Sequence, residues 1–310
     1  MNPRLIALVL LALALAAPWF AYPIFLMKAL CFALFACSFN LLLGYAGLLS
    51  FGHAMFFGIA GYCFGHAVKA WGLPPELAIL FGVAGAAALG LVTGALAIRR
   101  QGIYFAMITL AFSQMVYFFC IQAPFTGGED GLQGIGRPPL LGGLLPTKDD
   151  KVLYYVVLAI FLFGYGAIHR VIHSPFGQVL KAIRDNEQRA LSLGYNADRY
   201  KLLAFVLSAA LAGLAGSTKA LVLQFATLTD VSAGTSGEVV LMALVGGLGT
   251  IVGPVVGAFV IITMQNYLAS AGEWILVIQG GIFVVIVLAF RRGLVGELTA
   301  FWQARFKSAK

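Results

Sequence analysis

The sequence predicts an all-α membrane protein that crosses the bilayer several times. Hydrophobic residues make up 61% of the 310 residues, charged residues only 10%, and the mean hydropathy is +0.95. A soluble domain of this size does not contain so much apolar sequence. The apolar residues fall in separate runs, and glycines interrupt two of them. Together these observations predict about 8–10 transmembrane helices, with two glycine-broken segments among them.

Charge and cysteine usage exclude other classes of protein. The formal net charge is +8, but the basic residues are scattered at the ends of apolar runs and form no single patch among exposed aromatics, so nucleic acid is not a predicted partner. The four cysteines lie in apolar runs without CxxC spacing. We therefore interpret them as small buried hydrophobic residues, not as disulfides or metal ligands: Cys31, Cys37, Cys63 and Cys120.

The chain begins with two closely spaced predicted spans, near Leu5–Tyr22 and Ile24–Leu43. Arg4, the apolar run behind it and an Ala14-Leu15-Ala16 tripeptide are also features of a cleaved signal peptide. The apolar sequence is interrupted only briefly, around Pro18 and Pro23, before it continues. Two spans are therefore the favoured interpretation, and cleavage is the alternative.

The first glycine-broken segment runs from Gly44 to His66. Such a run is a poor uninterrupted helix, and interrupted segments in both halves of a chain point to a transport pathway. Ser50, His53 and Phe57 are spaced three and four apart, which predicts one helical face lining a substrate route. The alternatives are that the glycines only let helices pack closely, and that His53 is a hydrogen-bonded packing residue.

Three further spans and one long loop follow. The spans are predicted at about Pro75–Ile98, Gly102–Gln122 and Lys151–His169. The loop, Ala123 to Asp150, is rich in glycine and proline and has no helical period. We place this loop, residues 123–150, on the side of the membrane opposite to the basic residues Arg99 and Arg100.

Two adjacent acids stand out in that loop. Glu129 and Asp130 lie among glycines within Thr126–Ile135, where backbone turns can present both carboxylates. We expect them to seat a partner protein or to gate the outer mouth. A simple turn in a long connection is the alternative.

The stretch Ser174–Gly194 is a polar segment between two apolar segments that are each long enough to cross a membrane. Ser174 is a good N-cap, Pro175 suits the first helical position, and Gly194 stands where a C′ glycine ends a helix. Apolar residues recur along Phe176–Leu193 at the spacing of one helical face. The other face mixes acids with bases, which favours a protein partner over lipid headgroups.

The remaining elements are predicted as follows. Asn196 caps a helix that ends near Leu223, and a polar stretch, Gln224–Gly237, follows it. Glu238–Gln265 is the second glycine-broken segment, which we interpret as two short segments that cross twice. The last span is Glu273–Phe290. Two crossings place the basic tail on the same side as Arg4, Arg99, Arg100 and the Ser174–Gly194 stretch, as the positive-inside rule requires.

No enzyme motif or coupled-carrier motif was found. His169 and His173 have zincin spacing, but Arg170 replaces the glutamate, and Gly216–Lys219 reverses the order of a phosphate loop. Apart from Glu238 at a segment start, the acids fall in loops or at span ends, whereas a proton- or sodium-coupled carrier usually keeps an ionisable residue at mid-membrane. The energy for transport is therefore expected to come from another subunit.

Several blocks resemble the branched-chain amino-acid permeases of ABC importers. The stretch AIRDNEQRALSLGYNADRYKLLAFVLSAALAGLAG is similar to their coupling loop, although Gln188 and Arg189 replace the more usual alanines. NLLLGYAGLLSFGHAMFFGIAGY, RRQGIYFAMITLAFSQM, TGGEDGLQGI and EVVLMALVGGLGTIVGPVVGA follow in the family's order, and the TGGEDGL and GIYFAMITLAF blocks are typical of its M-type subunit.

The resemblance implies one permease domain, residues 1–310, of the type II ABC-importer class in a bacterial inner membrane, with cytoplasmic termini. It implies a second, H-type permease, two cytoplasmic ATPases that bind ATP and Mg²⁺, and a periplasmic binding protein. This chain would be no enzyme and would bind no cofactor. Residues 174–194 would form the coupling helix, and its ATPase-coupling residues would be Ile183, Arg184, Asp185, Asn186, Glu187, Ala190 and Gly194.

Several alternatives stay open at this point. Leucine, isoleucine and valine are the expected substrates, while related permeases serve urea, amides, or aromatic or dicarboxylic acids. An autonomous carrier or channel would differ by working without an ATPase. A membrane-embedded enzyme would need a catalytic cluster, which the sequence does not show.

Overall fold

The computed structural model describes residues 11–140, 147, 149–268, 274–289 and 293–297. This part of the chain is predominantly helical, which confirms the all-α class. A π-helical turn, Leu41–Tyr45, continues the first helix. The helices are α1 Pro23–Asn40, α2 Ala54–Lys69, α3 Pro75–Ala97, α4 Ile103–Gln122, α5 Asp150–His173, α6 Pro175–Asp185, α7 Glu187–Ser192, α8 Ala197–Leu223, α9 Ala233–Gly246, α10 Gly253–Tyr267 and α11 Trp274–Ala289.

Helix α1 lies at the centre of the molecule. In its most apolar stretch 89% of the residues are buried within the chain, and in α8 67%, whereas α3, α4 and α5 bury 33–39%. Helix α1 packs against α5, α8, α9 and α10, and α8 packs against α2 and α3. Helices α1 and α8 therefore form the core, and the outer helices leave apolar side chains to face lipid.

Both glycine-broken segments are confirmed. Within the described residues, five helices are long and apolar enough to cross a membrane: α1 with its π turn, α3, α4, α5 and α8. Helices α2, α9, α10 and α11 have only 14 to 16 residues, fewer than the ~20 that a span needs. Irregular backbone precedes α2 at residues 47–53 and separates α9 from α10 at residues 247–252. The interruptions fall where the sequence predicted them.

A two-stranded antiparallel ribbon was not predicted. Strand β1, Leu132–Gln133, pairs with β2, Phe225–Ala226, and so joins the long loop to the segment that follows α8. Strands of two residues carry no alternating pattern that a sequence could reveal. The ribbon lies where α8 ends, and α6 and α7 lie where α8 begins. We call these the ribbon end and the α6–α7 end of the molecule.

Some predicted elements extend outside the described residues. Residues 11–16 are helical and a 3₁₀ turn follows at Ala17–Trp19, but the start of the predicted Leu5–Tyr22 span, with Arg4, lies outside. Glu273, Phe290 and most of the basic tail lie outside as well. The predicted second span agrees with α1 and its π turn.

Candidate functional site: the α6–α7 loop and the glycine-broken segments

Helix α6 begins as the sequence predicted. The Ser174 hydroxyl accepts a hydrogen bond from Gly177 N at 3.4 Å, and Pro175 occupies the first turn. The apolar face turns inward, where Leu180 and Ile183 are buried. The amphipathic pattern therefore holds α6 against its own chain and leaves its polar face outward.

The predicted single helix Phe176–Leu193 is wrong, because the chain breaks at Asn186. This residue is extended (φ −158°, ψ 98°), and its side-chain oxygen accepts a hydrogen bond from Arg189 N at 3.0 Å. An asparagine side chain that replaces a backbone acceptor ends one helix and starts the next. The loop is therefore two short helices, α6 and α7.

The end of the loop agrees with the prediction. Gly194 has φ +87°, the left-handed conformation that a C′ glycine adopts. Ala190 is buried with Ile183 and Ala197 in a small apolar cluster of their own. Ile183 and Ala190, both predicted ATPase contacts, thus pack inward in this chain.

Polar side chains of the loop make contacts within the chain. Arg184 donates to Asp185 at 2.9 and 3.0 Å, while Glu187 pairs with Lys201 at 2.6 Å. Two large apolar side chains are exposed beside the polar Gln188 and Arg189: Leu191 is 52% and Leu193 71% exposed. Sequence reasoning did not identify these two leucines as exposed, because a continuous helix would have placed Leu191 on the buried face.

Arg184 connects the loop to the first broken segment. Its guanidinium donates to the carbonyl oxygen of Gly44, and its aliphatic carbons lie against Gly47, where a Cβ would overlap them. Gly47 has φ +73°, so glycine suits both the conformation and the close approach. The Lys181 ammonium lies 5.6 Å from the centre of the Tyr45 ring.

The two broken segments meet at this same place. The Asn40 side chain accepts from Gly249 N at 3.0 Å and donates to the Thr250 carbonyl at 2.8 Å. Tyr45 OH donates to the Gly249 carbonyl at 2.8 Å. The sequence predicted two similar interruptions but not their contact. A lone asparagine in an otherwise apolar run was the available signal.

His53 lies in a buried polar cluster. Its Nε2 is 3.2 Å from Ser38 Oγ and 3.3 Å from Ser208 Oγ. Both hydroxyls already donate, Ser38 to the Phe35 carbonyl at 2.7 Å and Ser208 to the Ser38 carbonyl at 2.6 Å. Since each hydroxyl has one proton, His53 Nε2 must be the donor. This leaves Nδ1 as an acceptor that is buried without a partner in the described part of the chain.

The predicted pathway face is not formed as one helical face. Helix α2 begins at Ala54, so Ser50 lies in the irregular backbone that precedes it and His53 in the turn directly before the helix. Of the three residues only Phe57 lies within the helix, so the helical spacing that the prediction assumed is absent between Ser50 and His53. Ser50, His53 and Phe57 are each at most 1% exposed within this chain. The exposed apolar side chains of the broken segments are Phe51 (38%), Leu248 (40%) and Val252 (39%), which the sequence did not single out.

The acids of the long loop are exposed. Glu129 and Asp130 form a 3₁₀ turn between glycines with positive φ: Gly127, Gly128 and Gly131. A Cβ at Gly131 would overlap the Ala226 carbonyl, so the turn lies directly on the ribbon. Both carboxylates are presented at the ribbon end.

A buried ion pair at the ribbon end was also missed. Lys219 Nζ lies 2.6 Å from Asp230 Oδ2, and the two residues are 4% and 8% exposed. Asp230 also accepts from Thr227 N at 3.2 Å, and the ammonium lies 4.5 Å from the Phe225 ring. The Gly216–Lys219 stretch thus ends in a paired lysine within α8.

Among the described residues, no group of three or more histidine, cysteine, aspartate or glutamate side chains lies close enough together to hold a metal ion. The rings of His169 and His173 are 4.2 Å apart, and His173 Nδ1 contacts the His169 carbonyl at 2.8 Å. These histidines interact with each other and with the backbone at the end of α5.

Comparison with known proteins identifies the family. A family model described as "Branched-chain amino acid transport system / permease component" matches residues 22–287. The high-affinity branched-chain amino acid transport system permease protein LivM of Escherichia coli (strain K12) is 28% identical over 277 residues, which are 82% of this chain and 65% of that protein. LivM of Salmonella typhimurium (strain LT2) is 27% identical over the same shares.

Sugar permeases are related as well. The ribose import permease protein RbsC of Bacillus subtilis (strain 168) is 32% identical over 238 residues, 71% of this chain and 70% of that protein. No solved structure matches. The family match covers the core helices, both broken segments and the α6–α7 loop. The chain therefore belongs to the ABC-transporter permease family of branched-chain amino acid transport systems, whose members are multi-pass membrane subunits.

Proposed function

We propose that this chain is the M-type permease subunit of an ATP-driven importer that carries branched-chain amino acids across a bacterial inner membrane. The observation that carries the proposal is the junction of Arg184, Gly44, Tyr45 and Gly249. It connects a loop with a polar outer face to both interrupted segments, so that displacement of the loop acts on both of them. The LivM relatives support the substrate class.

In this proposal the α6–α7 end is cytoplasmic, with both chain termini, and the ribbon end is periplasmic. Residues 1–310 act as one transmembrane permease domain, residues 174–194 as its coupling element and residues 123–150 as its outer loop. The basic turn after α3 and the basic residues of the loop support this orientation through the positive-inside rule.

The complete importer would contain a second, H-type permease, two cytoplasmic ATPases and a periplasmic binding protein. ATP and Mg²⁺ belong to the ATPases, and this chain contributes the route and the coupling. Substrate would pass between the two permeases, with the segment around Ser50, His53 and Phe57 on the route. Because these side chains are buried here, helix movement would have to uncover them.

The α6–α7 loop is proposed to dock on an ATPase. Leu191 and Leu193 would be the apolar anchors, and Asp185 and Asn186 would supply polar contacts. An open groove of about 660 Å³ beside the loop, lined by Arg99, Glu187, Leu191 and Asp198 among others, would receive part of the partner. Arg184 would act mainly inside the permease, through Gly44.

A cysteine crosslink tests this docking. Gln188→Cys, on the exposed side of α7, should crosslink to the ATPase in the assembled importer. Trp71→Cys, 55% exposed beyond α2 at the ribbon end, is the control and should not. Failure of the residue-188 variant to crosslink in an importer that still hydrolyses ATP would refute the docking.

Uptake into proteoliposomes tests the function itself. The full importer should accumulate leucine only with ATP and its ATPases. Uptake without an ATPase would instead show an autonomous carrier. Titrating the binding protein with leucine, urea, an aromatic acid and ribose identifies the substrate, and ribose belongs in the panel because RbsC is a relative.

Glu129 and Asp130 are proposed to seat the binding protein. Their exposure at the ribbon end and the glycines around them support this role. Reversal of both charges should weaken docking of the binding protein while leaving the amount of assembled permease unchanged. An unchanged docking affinity would show that Glu129 and Asp130 only form a turn in the loop and do not bind the binding protein.

A further inference from the structure

Two buried polar atoms without a partner belong to residues just before α2. Ser50 Oγ and His53 Nδ1 have no hydrogen-bond partner within the described part of the chain, and both residues are 0% exposed. A buried polar group without a partner costs about 1–3 kcal/mol, so its presence in a native structure calls for a physical reason. Because His53 Nε2 is the donor toward Ser38 and Ser208, Nδ1 can only accept a hydrogen bond.

Aromatic rings surround the His53 imidazole. Phe35 is stacked on it with centroids 5.6 Å apart, and Phe39 and Phe56 approach it edgewise at 5.5 and 5.6 Å. Phe57 joins this group through Phe35, at 4.6 Å. A ligand that donates to Nδ1 must therefore enter an aromatic environment. An ammonium suits it best, because it donates a charge-assisted hydrogen bond and is attracted to aromatic faces, whereas a neutral hydroxyl forms only an ordinary hydrogen bond.

Ser50 precedes the positive end of a helix. Helix α2 has 16 residues and no acid in its first turn. Its first amide, Ala54 N, donates to a neutral hydroxyl, Ser236 Oγ of α9, at 3.0 Å. The Phe51 amide likewise donates to Thr109 Oγ1 of α4 at 3.2 Å. The N-terminus of a helix favours a negative group, and the unpartnered Ser50 hydroxyl beside it can donate to one.

We propose that the turn before α2 binds the zwitterionic head of an α-amino acid during transport, with the ammonium on His53 Nδ1 and the carboxylate on Ser50 Oγ. The inference rests on the proposed function and names the atoms that distinguish a zwitterion from a neutral sugar on the route. The surrounding phenylalanines provide apolar surface for an aliphatic side chain. Ser236 and Thr109 hold the turn by one neutral hydrogen bond each, so movement of α9 or α4 opens it to the ligand.

Two replacements of His53 separate ligand binding from packing. Glutamine places an amide N–H near the position of Nε2 but has no acceptor at the position of Nδ1. Asparagine places its amide near Nδ1 and loses the bonds to Ser38 and Ser208. Uptake of labelled leucine per assembled complex is measured in proteoliposomes with the complete importer and saturating binding protein. His53→Gln should slow this rate by about tenfold, as expected for the loss of one hydrogen bond to a charged group, with little change in thermal unfolding. His53→Asn should instead lower thermal stability while its rate per complex stays closer to that of the wild type.

Ser50→Ala tests the carboxylate contact. Removing a buried hydroxyl that has no partner should not destabilise the fold, so a several-fold slower uptake per complex would report ligand binding. The matched control Thr93→Val removes an equally buried hydroxyl within α3 and should leave uptake unchanged.

The outcomes that overturn the site are distinct. A wild-type rate per complex in His53→Gln, or a rate in His53→Asn as low as in His53→Gln, would show that Nδ1 binds no ammonium and that His53 serves packing. If His53→Gln does not assemble, Ser50→Ala decides, and a wild-type rate there refutes the site. Wild-type importer that takes up no leucine would instead refute the proposed function.

Discussion

The two ends of the molecule are held by different kinds of interaction. At the α6–α7 end, Asn40 and Tyr45 bind the backbone of the second broken segment at Gly249 and Thr250. At the ribbon end, the buried Lys219–Asp230 pair, the strand pairing and the Arg137–Asp150 pair at 3.0 Å hold the elements together. The two broken segments thus meet through neutral side chains on glycine-rich backbone, and the ion pair at this end, Glu187–Lys201 at 2.6 Å, joins the loop to α8 instead. At the ribbon end, charged pairs join the elements themselves.

The difference indicates which end moves during transport. A neutral hydrogen bond contributes about 0.5–1.5 kcal/mol, whereas removing one partner of a buried ion pair costs about 3–5 kcal/mol. Gly47 and Gly249, both with positive φ, also lie at the α6–α7 end. Separating the two broken segments, which breaks only neutral hydrogen bonds, is therefore the less costly rearrangement. We expect the ribbon end to stay fixed while this junction responds to the ATPases.

The largest effect is expected from Asp230→Asn, which leaves the Lys219 ammonium buried without its carboxylate. The free energy of unfolding should fall by about 3–5 kcal/mol. Thermal unfolding in detergent measures this. The double variant Lys219→Met/Asp230→Leu is the control and should recover most of the loss. A single variant with unchanged thermal stability would show that the ribbon end is not fixed by this pair.

The next effect is at His53, midway between the two ends. His53→Ala removes a ring stacked on Phe35 with centroids 5.6 Å apart, and leaves a cavity between buried helices. We expect a loss of about 2–4 kcal/mol and less assembled complex. Uptake per assembled complex then tests the pathway hypothesis. A wild-type rate per complex would make His53 a packing residue, and a lower rate would support its place on the route.

Local signals in the sequence predicted much of this architecture. Ser174, Asn196 and Gly194 have chemistry that specifies a helix start or stop by itself, and all three lie where predicted. The break at Asn186 could not be predicted from the apolar pattern, because Ile183 before it and Ala190 after it are buried in the same cluster. Apolar periodicity therefore continues through a point where the helix does not.

Long-range partners could not be predicted. Asn40 looked like an isolated polar residue in an apolar run, because its partners Gly249 and Thr250 lie far along the chain. The Lys219–Asp230 pair depends on the turn after α8, which the ribbon sets. The pattern of glycines indicates where a helix is interrupted, whereas tertiary packing determines which residues contact the interrupted backbone.

A smaller effect is expected from Asn40→Ala, which sharpens the comparison at the α6–α7 end. The change removes two hydrogen bonds to the second broken segment and should cost about 1–3 kcal/mol. Because the Tyr45–Gly249 bond alone would then join the two broken segments, leucine transported per ATP hydrolysed should fall several-fold. Tyr45→Phe, which removes one bond, is the milder comparison. An unchanged ratio of leucine transported to ATP hydrolysed would show that this junction does not couple the two processes.

The smallest effect is expected at Gly194, in the turn that ends the α6–α7 loop. A Cβ here would have no neighbour within 4 Å, so any cost comes from the backbone conformation at φ +87° alone. For a residue with a side chain this conformation costs about 1–2 kcal/mol, and a β-branched side chain resists it most. Gly194→Val should therefore disturb the turn more than Gly194→Ala, and Gly194→Asn should be tolerated best. The crosslinking yield of Gln188→Cys to the ATPase measures the position of the turn, and it should fall in the same order while thermal unfolding changes little. Equal yields in all three variants would show that the ATPase holds the loop in place whatever the conformation of this turn.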